Sequence, residues 1–240
     1  MPTAADRDPG MIFAKNSPDA QRLKALRKVS SGPLYDYLSV PLPDPATPAD
    51  ELPLLAVDLE TTGLHPQRDH VLSIGWVPID GLSIHLSGAR RAIIKPPPGV
   101  NVGQSAAIHG LTDDDIARGR PLEEVLPEVL AALQGRVLLA HYTDIEERFL
   151  SAACERTYGQ RMPVARIDTL ELHRRLIVGW GQEPMRIALR LWTARERYGL
   201  PVYRAHEALI DAIACAELFL AQVAEMHEND QTVTLARLAS

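Results

Sequence analysis

The sequence predicts an α/β domain with a mixed sheet, and two observations carry this prediction. Three apolar, strand-like segments follow residue 53, and the last two are separated by Pro78–Gly81, a hairpin signal. Helical patterns then alternate with two short apolar segments. Neighbouring antiparallel strands followed by alternating helices and strands are typical of an α/β domain with a mixed sheet.

Five strands and five main helices are predicted after the first 50 residues. Leu54–Val57 is a continuous apolar run of the kind that forms a buried strand. The predicted strands are 54–57, 71–77, 82–94, 136–141 and about 164–167. The predicted helices are about 121–134, 144–158, 169–178, 186–198 and 205–226.

Residues 1–50 are expected to form a basic helix and a linker outside the main domain. Ser17 and Pro18 suit an N-cap and a first helical position, so a helix is predicted over about 18–30, ending at Gly32. It could dock on the core, on a partner or on nucleic acid. Five prolines between residues 41 and 53 indicate a linker. The expected organisation is therefore an N-terminal extension (1–50), a main domain (51–228) and a C-terminal tail (229–240).

The composition is that of an ordinary globular protein with an acidic balance. Of its 240 residues, 46% are hydrophobic and 23% charged, and the net charge is −6. Whole-chain disorder, collagen and a membrane bundle are excluded, and binding of nucleic acid through a blanket of Lys and Arg is disfavoured. The net charge is compatible with an enzyme that binds only the end of a nucleic-acid chain through metal ions. Without a signal-like or membrane-spanning apolar run, we expect a cytoplasmic protein with no membrane partner.

Three groups of acidic residues are candidates for chemistry. Asp58 and Glu60 lie two apart where a buried strand ends, so their side chains share one face and should repel each other unless a cation such as Mg²⁺ or Mn²⁺ is bound. Asp211 falls on an otherwise apolar helical stripe, where an ionised carboxylate is costly without a partner. His206 belongs at or before the first turn of that helix. Acids also cluster at a helix start near residue 144, where the helix dipole alone favours them.

In this order, the motifs resemble the DEDDh, or DnaQ-like, family of 3′–5′ exonucleases, which includes the proofreading epsilon subunit of bacterial DNA polymerase III. The resemblance covers about residues 53–225. Asp58–Gly63 matches the first family motif and His206–Asp211 the third. Ile108–Thr112 matches an intervening motif that touches the terminal nucleotide, and Asp168–Leu172 a further structural segment. The resemblance implies a ribonuclease H-like fold with a five-stranded mixed sheet and helices on both sides.

The second family motif departs from its usual form. The family usually has His-Asn-Ala-x-Phe-Asp, whereas this chain has His141 followed by Tyr142 at the Asn position and Glu146 at the catalytic Asp position. The longer Glu side chain would shift its carboxylate, which Mg²⁺ tolerates poorly. Weaker binding of the second metal or a preference for Mn²⁺ is therefore expected. Asp144 as the replacement ligand is the minor alternative.

The resemblance implies hydrolysis by two Mg²⁺ or Mn²⁺ ions per site. It assigns the first ion to Asp58, Glu60 and Asp211. Asp58 would bridge to the second ion with Glu146 nearby, and His206 would be the general base that activates the attacking water. The implied pocket for the 3′ nucleotide consists of Thr61, Thr62, Gly63, Leu64 and His109.

Removal of nucleotides from DNA 3′ ends, with single-stranded DNA as the preferred substrate, is the first functional hypothesis. A DNA polymerase subunit is a candidate partner. Trimming of RNA 3′ ends, as by ribonuclease T, is the runner-up because no residue reports on a 2′-hydroxyl. A non-catalytic module that binds a polymerase or nucleic-acid ends is the third reading, favoured by Glu146 and Tyr142. Asp58, Glu60, His206 and Asp211 favour an active enzyme, since decay would not be expected to spare all four.

Overall fold

The computed structural model describes residues 17–178, 186–228 and 232–239, which form a mixed six-stranded sheet covered by helices. The strands are β1 (Pro53–Thr61), β2 (Val71–Asp80), β3 (Ser83–Ile84), β4 (Arg90–Ile93), β5 (Val137–Ala140) and β6 (Arg166–Asp168). The α-helices within these ranges are α1 (Pro18–Leu26), α2 (Pro33–Ser39), α3 (Gly103–Ile108), α4 (Asp113–Arg118), α5 (Leu122–Leu133), α6 (Asp144–Tyr158), α7 (Thr169–Val178), α8 (Leu191–Glu196), α9 (Ala208–Glu228) and α10 (Leu235–Leu238). No helix in the described ranges is long and apolar enough to cross a membrane.

Strand β1 lies at the centre of the sheet and joins its antiparallel and parallel halves. The strand order is β3-β2-β1-β5-β6, and β4 pairs with β2. β1 pairs antiparallel with β2 and parallel with β5, and β5 pairs parallel with β6. The predicted α/β class with a mixed sheet is confirmed.

The predicted strand over residues 82–94 is wrong as a single element, and its interruption explains the sixth strand. Ser83–Ile84 pairs with the end of β2 and Arg90–Ile93 with its middle, while a 3₁₀ turn at Leu86–Gly88 separates the two. Pro78 of β2 lies opposite this turn and has no N–H to donate to a neighbouring strand. Its carbonyl still accepts a hydrogen bond from the His85 N–H at 2.9 Å.

The two faces of the sheet carry separate hydrophobic cores, as the alternation of side chains along β1 requires. Leu55, Val57 and Leu59 point into the core formed with α2, α5 and α6. Leu54 and Ala56 point into the opposite core, which α7, α9 and α10 cover. The even-numbered residues of β1, including those at its carboxyl end, therefore lie on the α9 side.

The described parts of the flanking segments pack on these same cores. Tyr37 and Leu38 of α2 are buried in the first core, and the Tyr37 hydroxyl donates to the Pro163 carbonyl at 2.8 Å. Val233 and Leu235 are buried in the second core. The proline-rich linker also pairs with the C-terminal segment, since Pro48 and Thr234 form a β-bridge. The division into 1–50, 51–228 and 229–240 stays a prediction, and residues 1–16 and 229–231 lie outside the described ranges.

Several helix boundaries differ from the sequence prediction for local reasons. The basic helix ends at Leu26 rather than near residue 30, and Pro33 begins the unpredicted α2 instead of only ending α1. The helix predicted over 186–198 is divided into a 3₁₀ turn and α8, and the Leu189 carbonyl between them bonds to the His141 ring at 2.8 Å. α9 begins at Ala208, after His206 with its positive φ of 66°.

The burial of α2 yields a stability prediction. Leu38→Ala should lower the free energy of unfolding by about 2–5 kcal/mol, because Leu38 is fully buried and its truncation leaves a cavity. Leu23→Ala on α1 is the matched control, since Leu23 is 44% exposed and should change stability by less than about 0.5 kcal/mol. Urea unfolding of both variants measures the difference. Equal and small effects would contradict the integration of α2 into the core.

Candidate active site

The carboxyl end of β1 places two acidic side chains on the face that α9 covers. Asp58 and Glu60 alternate with Val57 and Leu59, so they continue the even-numbered face of the strand. Glu60 is buried, whereas Asp58 is partly accessible. The strand therefore places Asp58 and Glu60 on one face, as their spacing predicts.

Helix α9 brings Asp211 to the same place because a glycine in β2 lets the helix approach. Gly75 pairs with Asp58 in the sheet register. A Cβ atom at Gly75 would lie 2.2 Å from the Ala208 carbonyl carbon, so only glycine permits this contact between strand and helix. One carboxylate oxygen each of Asp58, Glu60 and Asp211 lies within 4.8 Å of the other two.

His206 lies just before α9, as the sequence predicts, in a left-handed conformation. Its backbone N–H donates to the Asp211 Oδ2 at 3.0 Å, which fixes the carboxylate and the His206 backbone together. The exposed His206 ring lies 6.2 Å from the His109 ring, centroid to centroid, in an edge-to-face arrangement. Ligand atoms of Glu60, His109 and His206 also lie within 4.8 Å of one another.

Glu146, rather than Asp144, faces this cluster from the first turn of α6. Glu146 is buried, and its charge is among the causes that raise the pKa of Asp58. Asp144 is half-exposed and accepts a hydrogen bond from Arg166 at 2.6 Å. Asp144 as the replacement ligand therefore stays the minor alternative, because its carboxylate is engaged by Arg166. Glu146 stands outside the two groups whose ligand atoms lie within 4.8 Å of one another.

The start of α6 is held by Asp168 at the end of β6. Its carboxylate accepts the Tyr142 N–H at 2.9 Å and the Thr143 N–H at 3.1 Å. His141, directly after β5, is partly buried, its ring nitrogens contact Thr169 and Leu189, and desolvation lowers its pKa to about 4. These residues position the turn that carries Glu146.

Crowding and burial disfavour ionisation of the acidic cluster. Burial and the neighbouring charges of Glu146 and Glu60 raise the pKa of Asp58 well above its ordinary range. Burial raises the pKa of Glu146 to about 8. Burial also raises the pKa of Asp211 to about 6, against the hydrogen bond from His206. Such shifts are those of carboxylates that lack a compensating positive charge.

The residues present fit a divalent cation. Among the described residues, the Glu60 Oε1, Glu146 Oε2 and Asp211 Oδ1 atoms are buried without a hydrogen-bond partner. Buried polar atoms are normally hydrogen-bonded, and carboxylate oxygens are the ligands that Mg²⁺ and Mn²⁺ prefer. A cation would satisfy these atoms and relieve their repulsion.

The predicted nucleotide pocket is formed by the loop after β1 and by α3. The Thr61 hydroxyl donates to the Gly63 carbonyl at 2.7 Å, and the His109 Nε2 atom lies 3.2 Å from the Thr61 carbonyl. The other His109 ring nitrogen contacts the Glu60 carboxylate. Burial lowers the pKa of His109, but the hydrogen bond and charge of Glu60 raise it overall. Leu64, in the same loop, is exposed.

A cleft of about 210 Å³ opens beside the two histidines and adds positive charge to the site. Arg91 and Arg204 line it together with His109 and His206. Arg91 also forms an ion pair with Glu207 at 3.3 Å. The cleft therefore joins cationic side chains to the carboxylate cluster, although neither arginine was singled out from the sequence.

Gly75 and Asp168 are the positioning residues that sequence reasoning did not assign. A glycine inside an apolar strand is a known sign of close backbone approach, so Gly75 carried a usable signal. Asp168 stood in a matched structural segment, but its bonds to Tyr142 and Thr143 depend on strand order, which the local pattern does not contain.

The fold and this site together define the class of ribonuclease H-like nucleases. The sequence model of the RNase_T family, described as exonuclease, matches residues 55–219. The chain therefore belongs to the exonuclease family, which confirms the resemblance identified from its motifs.

The similar proteins are polymerase components and nucleases. The chain is 34% identical to the PolC-type DNA polymerase III of Thermotoga maritima, over 69% of this chain and 11% of that protein. It is 29% identical to the DNA polymerase III subunit epsilon of Treponema pallidum, over 70% of this chain and 75% of that protein. The chain thus spans about a tenth of the first relative and three quarters of the second.

Solved structures confirm the fold. The nuclease domain of 3′hExo, a DEDDh family member bound to rAMP, superposes with a TM-score of 0.61 at 16% identity, covering 75% of this chain and 94% of that one. Exonuclease X in complex with 5′ overhanging duplex DNA gives a TM-score of 0.57 at 22% identity, covering 77% and 98%.

The raised pKa values predict a pH-dependent response to divalent metal. Without metal, the free energy of unfolding should fall as pH rises from about 5 to about 9, on the order of 5 kcal/mol, because Asp211 and Glu146 must ionise through pKa values of about 6 and about 8. Mg²⁺ or Mn²⁺ at millimolar concentration should raise the melting temperature most at the alkaline end. Differential scanning fluorimetry across this pH range measures both effects.

Asp58→Asn is the control for this prediction. It removes one charge from the cluster, so the metal-induced rise in melting temperature should be largely lost. Asp144→Asn is the matched control. It removes a carboxylate in the first turn of α6 that pairs with Arg166, and it should leave the metal-induced rise in melting temperature intact. A full metal response in Asp58→Asn would refute the assignment of this cluster as the metal site.

Proposed function

We propose that the chain is a two-metal 3′–5′ exonuclease that removes nucleoside monophosphates from DNA 3′ ends. The observation that carries the proposal is the convergence of Asp58, Glu60, Glu146 and Asp211, three of which present a buried carboxylate oxygen without a hydrogen-bond partner. Family membership supplies the reaction class.

Asp58, Glu60 and Asp211 would hold one ion, and Asp58 with Glu146 would hold the second. When bound, Mg²⁺ or Mn²⁺ would favour deprotonation of the attacking water and stabilise the charge on the phosphate and the leaving oxygen. The Glu146 carboxylate is buried, its charge acts on Asp58, and its Oε2 atom has no hydrogen-bond partner, so the longer side chain is directed into the cluster rather than away from it. This arrangement supports direct coordination by Glu146 as a replacement for the usual Asp.

His206 would act as the general base. The attack forms a bond between the water oxygen and phosphorus, breaks the bond to the 3′ oxygen of the remaining strand, and transfers the water proton to the imidazole. The exposure of the His206 ring supports this role, because the ring can reach a substrate that arrives from solvent. The hydrogen bond from the His206 backbone N–H to the Asp211 carboxylate holds the backbone that carries the base next to that carboxylate.

Thr61–Leu64 and His109 would bind the terminal nucleotide. The His109 ring contacts both Glu60 and the Thr61 carbonyl, so it connects the pocket to the carboxylates. Arg91 and Arg204 in the adjacent cleft would attract the phosphate backbone. This small cationic area suits an enzyme that grips a chain end despite a net charge of −6.

DNA is the proposed substrate because the similar proteins from Thermotoga maritima and Treponema pallidum are DNA polymerase III components. Trimming of RNA is the second candidate, since the structurally similar 3′hExo domain is bound to rAMP. Association with a polymerase is a further proposal from the epsilon-subunit likeness. We also propose residues 51–228 as the exonuclease domain.

Digestion of labelled strands tests the activity. With Mg²⁺ or Mn²⁺, the protein should shorten a 5′-labelled single-stranded DNA one nucleotide at a time from its 3′ end, and Asp58→Asn should lose this ladder. Glu146→Asp should change the ratio of Mg²⁺- to Mn²⁺-supported rates if Glu146 binds metal directly. A ladder with RNA alone would select the RNA-trimming alternative, and binding without cleavage in either metal would select the non-catalytic module.

His206→Asn tests the general base. Asn tolerates the positive φ of this position, so the backbone bond to Asp211 should persist. We expect kcat to fall by about 10²–10⁴-fold, with the metal-induced rise in melting temperature preserved. His65→Asn, in the loop after β1, is the matched control and should retain activity. A His206→Asn enzyme with unchanged kcat would remove His206 from the mechanism.

A further inference from the structure

Tyr142 has a backbone conformation that a bulky side chain disfavours. Its φ is 80°, and the other non-glycine residue with positive φ in the described ranges is His206, at the active site. Left-handed backbone is uncommon outside glycine, and asparagine is the side chain that tolerates it more readily than tyrosine does. Disfavoured conformations of this kind concentrate at functional sites, which directs attention to the Tyr142 ring.

The hydrogen bonds that hold this conformation involve only the backbone atoms of Tyr142. Asp168 accepts the Tyr142 N–H at 2.9 Å, and the Tyr142 carbonyl accepts the Ile145 N–H at 3.2 Å. Neither bond uses the phenol ring. The ring is therefore not needed for the turn that begins α6.

The ring is instead left open to solvent. Tyr142 is 49% exposed, and its hydroxyl makes no hydrogen bond within the described part of the chain. Two more large apolar side chains are exposed next to site residues: Leu64, which is 62% exposed and follows Gly63, and Ile108, which is 61% exposed and precedes His109. Exposed apolar side chains grouped around a polar site mark a surface that binds a partly apolar ligand.

The sheet order places Tyr142 on the opposite side of the carboxylates from the proposed nucleotide pocket. Thr61–Leu64 belongs to the loop that leads from β1 to β2. Tyr142 follows β5, which pairs with the other edge of β1 in the register Ala56 to Leu139. A strand whose 3′ nucleotide occupies the pocket, and whose scissile phosphate lies at the carboxylates, would continue toward β5.

We propose that Tyr142 stacks on the base of the penultimate nucleotide, the one that becomes the new 3′ end after cleavage. This inference rests on the proposed exonuclease function. Stacking of an aromatic ring on a base tolerates every base because each has a π-face, and it strengthens binding by about 5- to 150-fold per base. Tyr142 therefore contributes affinity and positioning without sequence preference, and a dinucleotide is the smallest substrate that can use it.

Tyr142→Asn and Tyr142→Phe test this role. Tyr142→Asn should raise the KM for single-stranded DNA about 10-fold and change kcat by less than about 3-fold, while Tyr142→Phe, which keeps the ring, should match the wild type. The melting temperature of Tyr142→Asn should be equal or higher, because Asn suits the left-handed backbone. Tyr35→Asn on α2, a residue of similar exposure, is the control and should leave KM unchanged.

An abasic nucleotide at the penultimate position isolates the contact. It should raise the KM of the wild type about 10-fold and have no further effect on Tyr142→Asn, because both changes remove the same stacking pair. Additive effects would refute stacking, and a lowered melting temperature with an unchanged KM would make Tyr142 a structural residue. If the wild type degrades neither DNA nor RNA, the exonuclease proposal fails. In that case, oligonucleotide affinity of Tyr142→Asn in the Asp58→Asn background decides the stacking role: unchanged affinity refutes it.

Discussion

Repulsion among carboxylates at the end of β1 is the constraint on which the site depends. Four acidic side chains from β1, α6 and α9 converge where little solvent reaches, and burial raises the pKa values of Asp58, Glu146 and Asp211. The fold accepts this cost because β1, at the centre of the sheet, is held by strands on both edges and cores on both faces. A cation converts the same arrangement from a destabilising one into a stabilising one.

A close approach of backbone at Gly75 and the hydrogen bonds of the Asp168 carboxylate set the geometry of this cluster. Gly75 lets the start of α9 touch β2, and so brings Asp211 over Asp58. Asp168 fixes the turn before α6, and so helps to place Glu146 near Asp58. The first contact depends on the missing side chain of Gly75 and the second on the Asp168 carboxylate, so one glycine and one acid outside the cluster position its acidic side chains.

The sequence predicts the helices around the candidate site better than it predicts the edges of the fold. The bounds of α6 and α7 and the position of His206 before α9 follow from local pattern and were predicted. The break between β3 and β4 was missed because it depends on Pro78 in the neighbouring strand. The pairing of Pro48 with Thr234 was missed because it joins the two ends of the chain. A local sequence pattern does not show which distant residues will become neighbours in the fold, so it cannot predict tertiary contacts of this kind.

Glu146 and Tyr142 are best understood together, because both belong to one turn held by Asp168. Glu146 stands where the family has a shorter acid, yet it is buried and its charge still acts on Asp58. A degenerate site would be expected to lose such a buried acid, because burying an acid without use destabilises the protein. The same reasoning applies to the disfavoured backbone of Tyr142. Two costly features in one turn are more consistent with an altered but working site than with a decayed one.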